Sequence, residues 1–230
     1  MIDLRVYGKN VIKEYLDKNI RRAYISKNFK DESVINKLKE RNIPIKFLDK
    51  NVLNHMEKGN NQGIILDVDD YDYYSLDEIE EENVIIMLDH LEDPHNFGAI
   101  IRTVEAAGYK SIIIPKDRSV EVNPTVIKVS AGTIENVKIS RVNNLVNTID
   151  ELKSKGFWII GTDMKGEDYK KIDYSGKIVI VIGNEGKGIS RLVRENCDFI
   201  ASIPMRGEVN SLNASVAAAL VIYEAVDKNV

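Results

Sequence analysis

A single cysteine, Cys197, stands in 230 residues, so an internal disulfide is excluded, as is any metal site built from several thiolates. Alone near an expected helix end, it reads as a small buried apolar side chain rather than a nucleophile. A reducing cytoplasm is the expected compartment. No apolar run approaches the roughly 18–20 residues of a membrane span, and the opening MIDLRVYGKN lacks the basic-then-apolar build of a secretory leader. The three histidines, His55, His90 and His95, have no carboxylate or cysteine partners recurring at metal-ligand spacing. They read as surface or capping residues, and no metal is expected.

An intact phosphate loop is also missing, although one stretch comes close. In IVIVIGNEGKGIS, Ile178 to Ser190, five apolar residues run into a glycine cluster. Gly183 and Gly188 have the spacing of a Walker A loop, but Ile189 stands where the phosphate-gripping lysine belongs. Read instead as a dinucleotide loop from Gly186 and Gly188, the segment has Arg191 in place of the third glycine, and Glu185 would repel a pyrophosphate. The loop therefore suits a ligand that is neutral or positive where it meets Glu185, unless its glycines only relieve backbone strain.

The net charge of −4 conceals three parts. Residues 1–66 hold 14 Lys and Arg against 8 Asp and Glu, residues 67–83 hold nine acids and no base, and residues 84–230 hold 18 bases against 19 acids. A basic front domain (1–66), an acidic linker (67–83) and a near-neutral body (84–230) are expected. The basic front is compatible with phosphate contacts and equally with a solvated lysine-rich face. Within it, GKNVIKEYLDK places Val11, Ile12, Tyr15 and Leu16 on one helical face. RAYIS, IPIKFL and GIILDV read as strands and DESVINKLKERN as a helix, giving a small α/β sandwich. In the body, NVIIMLD, SIIIP, VKISRV, FWIIGTD, KIVIVIG and FIASIP read as strands, most followed by helical segments, one of them Asn96 to Ala107. Such apolar strands alternating with helices predict an α/β fold with a mostly parallel sheet covered on both faces. The final SLNASVAAALVIYEAV is apolar almost all round from Val216 to Val226, which suits the core or a subunit interface.

Polar residues at strand-to-helix joins of a parallel sheet lie where ligands bind. Three such joins stand out: DPHNFGAIIRT with Asn96 and Arg102, the loop with Asn184 and Glu185, and IPMRGEVNSLNAS with Ser211 and Asn213. Asn96 and Ser211 read singly as helix caps, Arg102 as a surface ion-pairing residue and Asn213 as a turn residue. In order and spacing, NFGAIIRT, IGNEGKGIS and IPMRGEVNSLNASVA resemble the three motifs of the SpoU family of RNA ribose 2′-O-methyltransferases, over roughly residues 84–230. The front domain resembles that family's small ribosomal-protein-like substrate-binding domain. With PKDRS at Pro115 to Ser119, the layout is closest to the branch that methylates a guanosine of 23S rRNA. One departure is Asn61-Gln62-Gly63, where the family usually has His-Gln-Gly.

The resemblance implies a trefoil knot in the catalytic domain, S-adenosylmethionine as cofactor, RNA as substrate, a homodimer and no metal. It places Gly183, Ile203 and Leu212 at the cofactor, with Thr162 as a weaker candidate, and Asn96, Arg102, Glu185, Ser211 and Asn213 in catalysis. The loop at Gly183 would then hold an uncharged adenosine and a sulfonium, and the missing lysine is explained. The family's arginine, here Arg102, is commonly given the role of base. Neutralising a guanidinium at pH 7 costs about 9 kcal/mol, so Arg102 is either a charged clamp on a phosphate or on the forming alkoxide, or a base stripped of its proton by burial. Competing readings are a tRNA guanosine 2′-O-methyltransferase, a non-catalytic RNA-binding ribosome-assembly factor of the same fold and, weakest, a nucleotide-binding enzyme.

Overall fold

The computed structural model describes residues 4–229 apart from 9–11, 14, 17, 18 and 59. These residues form two compact units: residues 1–72 with 122–132, and residues 73–121 with 133–230.

The first unit is built on a four-stranded sheet in the order β1-β4-β2-β3, from β1 (Leu4–Tyr7), β2 (Ile20–Ser26), β3 (Ile45–Leu48) and β4 (Ile64–Val68). β4 runs antiparallel to both β1 and β2, and β2 runs parallel to β3. Helices α1 (Glu32–Glu40) and α2 (Lys50–Met56) supply Val34, Leu38 and Leu53 to the core. Ile12, Tyr15 and Leu16 are buried as their helical spacing predicts, while Val11 lies outside the described residues.

The expected boundary at residue 66 falls inside β4. Asp67 is not a tether charge: it is 5% exposed, accepts a hydrogen bond from Tyr24 Oη at 2.9 Å, and pairs with Arg5 Nε at 3.0 Å. The Asp67 carboxylate raises the Arg5 pKa, mainly through that hydrogen bond. Further along the acidic stretch the short helix α3 (Leu76–Ile79) forms, its Glu78 carboxylate accepting from both the backbone N–H and the hydroxyl of Ser75 at 2.9 and 2.8 Å. Ile79 is fully buried, so the segment is structured rather than a free linker. A second difference from the contiguous division is α5 (Pro124–Val129), introduced by the Asn123 cap. It belongs to the first unit, where it packs against β1 and places the Lys128 ammonium 5.4 Å from the Tyr7 ring centre.

The second unit carries six parallel strands in the order β10-β8-β9-β5-β6-β7. They are β5 (Val84–Asp89), β6 (Ser111–Pro115), β7 (Lys138–Val142), β8 (Trp158–Asp168), β9 (Ile178–Gly183) and β10 (Phe199–Ser202). The expected parallel α/β sheet is the observed one. Its helices are α3, α4 (Pro94–Ala106), α6 (Leu145–Ser154), α7 (Arg191–Glu195) and α8 (Ala214–Lys228). β5 and β9 are buried along their whole length, as strands covered on both faces must be. Ile85, Met87, Val179 and Val181 pack with Ile149 and Leu152 of α6 in one core. Elsewhere α8 packs against α4 and β9. Gly108, at φ +80°, ends the turn after α4, where a side chain would be strained.

Candidate active site

Because the six strands are parallel, their carboxyl ends share one edge of the sheet. β5 ends at Asp89, β9 at Gly183 and β10 at Ser202, just before Ile203. Asp89 and Gly183 are register partners.

The glycine-rich loop is a closed structure. Asn184 and Gly188 exchange backbone hydrogen bonds at 3.0 and 2.9 Å, and Gly186 N–H donates to Asn184 Oδ1 at 2.9 Å. Gly188 supports this closure at φ +67°. Gly183 is required for a different reason: a Cβ there would lie 2.2 Å from Gly188 C and 2.3 Å from Ile189 N. The loop folds back directly over its own entry residue.

Asp89, which sequence reasoning passed over, and His90, which it read as a surface or capping residue, fasten the loop to β5. The buried Asp89 carboxylate accepts from Ser190 N–H at 2.5 Å through one oxygen, and its other oxygen lies 2.5 Å from His90 Nδ1. Asn184 Nδ2 donates to the His90 carbonyl at 2.8 Å. His90 adopts φ +57° and is half-buried, so it is not the ordinary surface residue expected. The available signal was Asp-His immediately after an apolar strand, which is too short to distinguish from a turn. His55 and His95 keep local roles: His55 Nδ1 is 2.7 Å from the Asn51 carbonyl, and His95 donates its backbone N–H to Asp93.

The structure brings the first and second motifs together. Asn96 Nδ2 donates to Glu185 Oε1 at 3.0 Å across 89 positions of sequence. Asn96 is not the cap of α4. That position belongs to Asp93, whose carboxylate accepts from His95 N–H with Pro94 following, and Asn96 sits 6% exposed inside the first turns. Arg102, six positions further on, is turned about 120° around the helix from Asn96. It is exposed, with no hydrogen-bonded or ion-paired partner among the described residues.

In the third motif the cap of α8 is Asn213 rather than Ser211: Asn213 Oδ1 accepts from Ser215 N–H at 2.9 Å and from Ser215 Oγ at 2.6 Å. Ser211 is exposed and makes no hydrogen bond among the described residues. Ile203 and Leu212 are half-buried, one just after β10 and one just before the Asn213 cap. The Thr162 hydroxyl is engaged with the sheet, donating to the Val181 carbonyl at 2.9 Å. Cys197 donates to the Val193 carbonyl at 3.3 Å, and burial pushes its thiol up to about 12. It is the inert apolar filler expected.

Residues 83–223 match the model of the SpoU rRNA Methylase family, and residues 5–74 match that of the RNA 2′-O ribose methyltransferase substrate-binding domain. The chain belongs to the SpoU rRNA methylase family. A Bacillus subtilis protein assigned to the TrmH family of tRNA/rRNA methyltransferases is 45% identical over 192 residues, covering 80% of this chain and 77% of that one. A Staphylococcus aureus relative of the same description matches with the same identity and coverage. Among solved structures, the SpoU methyltransferase AviRb from Streptomyces viridochromogenes superposes with a TM-score of 0.82 at 25% identity, over 98% of this chain and 89% of that one. An AdoMet-bound rRNA methyltransferase from Sinorhizobium meliloti gives a TM-score of 0.82 at 25% identity, over 97% and 86%. A TrmH/SpoU tRNA modifying enzyme of A. aeolicus is 31% identical, with a TM-score of 0.59 over 66% of this chain and 81% of that one.

Proposed function

We propose that this SpoU family member transfers a methyl group from S-adenosylmethionine to the ribose 2′-hydroxyl of a guanosine in 23S rRNA, acting as a homodimer in the cytoplasm. The observation that carries the reading is the Asn96–Glu185 hydrogen bond, which joins two of the three family motifs where the carboxyl ends of β5 and β9 meet. The rRNA target, rather than tRNA, is supported by coverage. The rRNA methyltransferase from S. meliloti matches 97% of the chain, while the tRNA enzyme from A. aeolicus matches 66%. The basic front unit adds to this, and we assign it to RNA binding.

The residues present suit the cofactor. Gly183 and the closed 184–188 loop expose backbone groups, Ile203 and Leu212 offer apolar surface, and no lysine stands at the Walker position to demand a phosphate. Bound there, S-adenosylmethionine would supply an electrophilic methyl on a sulfonium. Asn96 holds the Glu185 carboxylate at a fixed place, from which it orients the ribose hydroxyl by accepting its hydrogen bond and takes up its proton as the oxygen is methylated. Arg102, exposed on α4, binds the phosphate beside the target or stabilises the developing alkoxide. Ser211 and Asn213 line the entrance to α8 and position the nucleotide. We also infer the trefoil knot: β9 inserts between β8 and β5, the chain then continues to β10 beyond β8, and α8 returns against β9.

The homodimer rests on α8. Its buried face carries Ala218, Val221, Ile222 and Ala225, but Val216, Leu220 and Tyr223 form a second apolar stripe that is 48, 38 and 47% exposed. The helix spacing i, i+4, i+7 places them on one side.

The deciding experiment is transfer of labelled methyl to deproteinised large-subunit rRNA and to bulk tRNA, with Arg102→Ala as control. Labelling of rRNA that is lost in the variant supports the reading, and labelling of tRNA alone would replace it with the tRNA activity. Arg102→Lys separates the two roles of that residue. A rate that rises with pH identifies a base, whereas a low rate independent of pH identifies a guanidinium clamp.

A further inference from the structure

The first unit contains a cleft of about 490 Å³, lined among others by Ser26, Phe29, Lys50, Asn54, Asn60 and Asn61. Its size falls within the roughly 300–1,000 Å³ of small-ligand sites. No acidic side chain lines it. Asn61, 2% exposed, is its fixed floor: Nδ2 donates to Asn54 Oδ1 at 3.0 Å, and Oδ1 accepts from Gly63 N–H at 2.9 Å. Gly63 has φ +83°, and a Cβ there would come within 3.3 Å of Ser26 Cβ and 3.5 Å of the Phe29 ring. The glycine thus lets the ring lie close against the 61–63 turn.

Three other lining side chains offer open polar groups. The Asn54 NH₂ group and the whole Asn60 amide have no hydrogen-bond partner among the described residues, and exposed Lys50 has no ion-pair partner among them. Side-chain amides present donors and acceptors together, which matches the mixed edge of a nucleobase. An aromatic wall allows the base to stack, and one cation suits the phosphate attached to it.

We propose that this cleft receives an unpaired nucleobase of the RNA substrate, at a nucleotide other than the one methylated. The assignment rests on the RNA-methylating reading above and gives the first unit a defined recognition task. Stacking on Phe29 binds the base, the Asn54 and Asn60 amides read its edge, and Lys50 holds its phosphate.

The test is chemical probing of the rRNA complex with dimethyl sulfate and carbodiimide, which report base edges, using wild type and the variants Lys50→Ala, Asn60→Ala and Phe29→Leu. The first two alter exposed side chains, and the third keeps apolar bulk while removing the ring. Wild type should protect one unpaired base apart from the methylated nucleotide, and each variant should restore its reactivity. Stacking energies predict that KM for RNA rises about tenfold in Phe29→Leu, and it should rise in the other two variants as well, with kcat and S-adenosylmethionine affinity unchanged in all three. Absence of any second protected base, or protection and KM unchanged in all three variants, overturns the assignment. Probing reads the complex without methyl transfer, so an inactive wild type would refute the functional reading while the footprint still decides the cleft.

Discussion

Gly183 shows how much one hydrogen atom in place of a methyl can decide. With a Cβ meeting backbone atoms at 2.2 and 2.3 Å, no rotamer change relieves the clash. Gly183→Ala is expected to cost about 1–3 kcal/mol, as overpacking does, and to weaken cofactor affinity; thermal melting and calorimetry would measure both. Asp89 makes a comparable case. Asp89→Asn leaves an amide oxygen to accept from Ser190 N–H but weakens that bond by about 1 kcal/mol, so a lower melting temperature with weaker cofactor binding should follow. At Cys197 burial raises the thiol from 9.0 to about 12. The native state therefore keeps the proton while the unfolded chain loses it, and the stability this contributes is intact below about 9 and lost as pH climbs toward 12. A disulfide reagent at pH 8 should label the thiol slowly in native protein and at once in denaturant. Cys197 was readable from its type and neighbours, whereas Gly183 was singled out for the cofactor only through the family resemblance. Asp89 and His90 were not, because their importance comes from a loop 94–101 positions away that only the fold brings near.

Among the elements, strands with several consecutive β-branched residues were legible, SIIIP and KIVIVIG above all, since nothing but a doubly buried strand accommodates them. Shorter or less patterned segments were not. β1 has only four residues, LRVY, and is a strand because β4 pairs with it. The stretch after residue 67 reads as a charged tether, yet Asp67 is neutralised by Arg5 and Ile79 is buried, two facts that a charge count does not contain. The start of α4 moved from Asn96 to Asp93 because the aspartate with the following proline outcompetes an asparagine three positions later. In α8 the sequence left core and interface open, and the helix serves the first on one side while leaving the other bare. Leu220→Lys with Tyr223→Glu is expected to yield a folded monomer at micromolar concentration, with little change in melting if the stripe is solvent-facing in the free chain. Light scattering measures the mass, and an unchanged dimer would reject the α8 interface.

For the whole molecule, hydrophobic periodicity announced a parallel sheet but could not order it. The insertion of β9 between β8 and β5 is a property of chain path, and no window of residues encodes it. The same holds for residues 122–132, which complete the first unit although 49 positions separate them from Asp72. A truncated chain ending at Asp72 lacks α5, and we expect it to melt lower than the first unit of the full protein and to bind a hydrophobic dye at the bared face of β1. The chain thus passes between its two units three times, at 72–73, 121–122 and 132–133. A protease that nicks the acidic stretch cuts one of three chain crossings, while residues 122–132 of the second fragment still complete the first unit: the two fragments should travel together through a sizing column and part only in denaturant. For the same reason, a gene rearrangement that joined or removed the front module at a single breakpoint would leave it missing a piece encoded downstream.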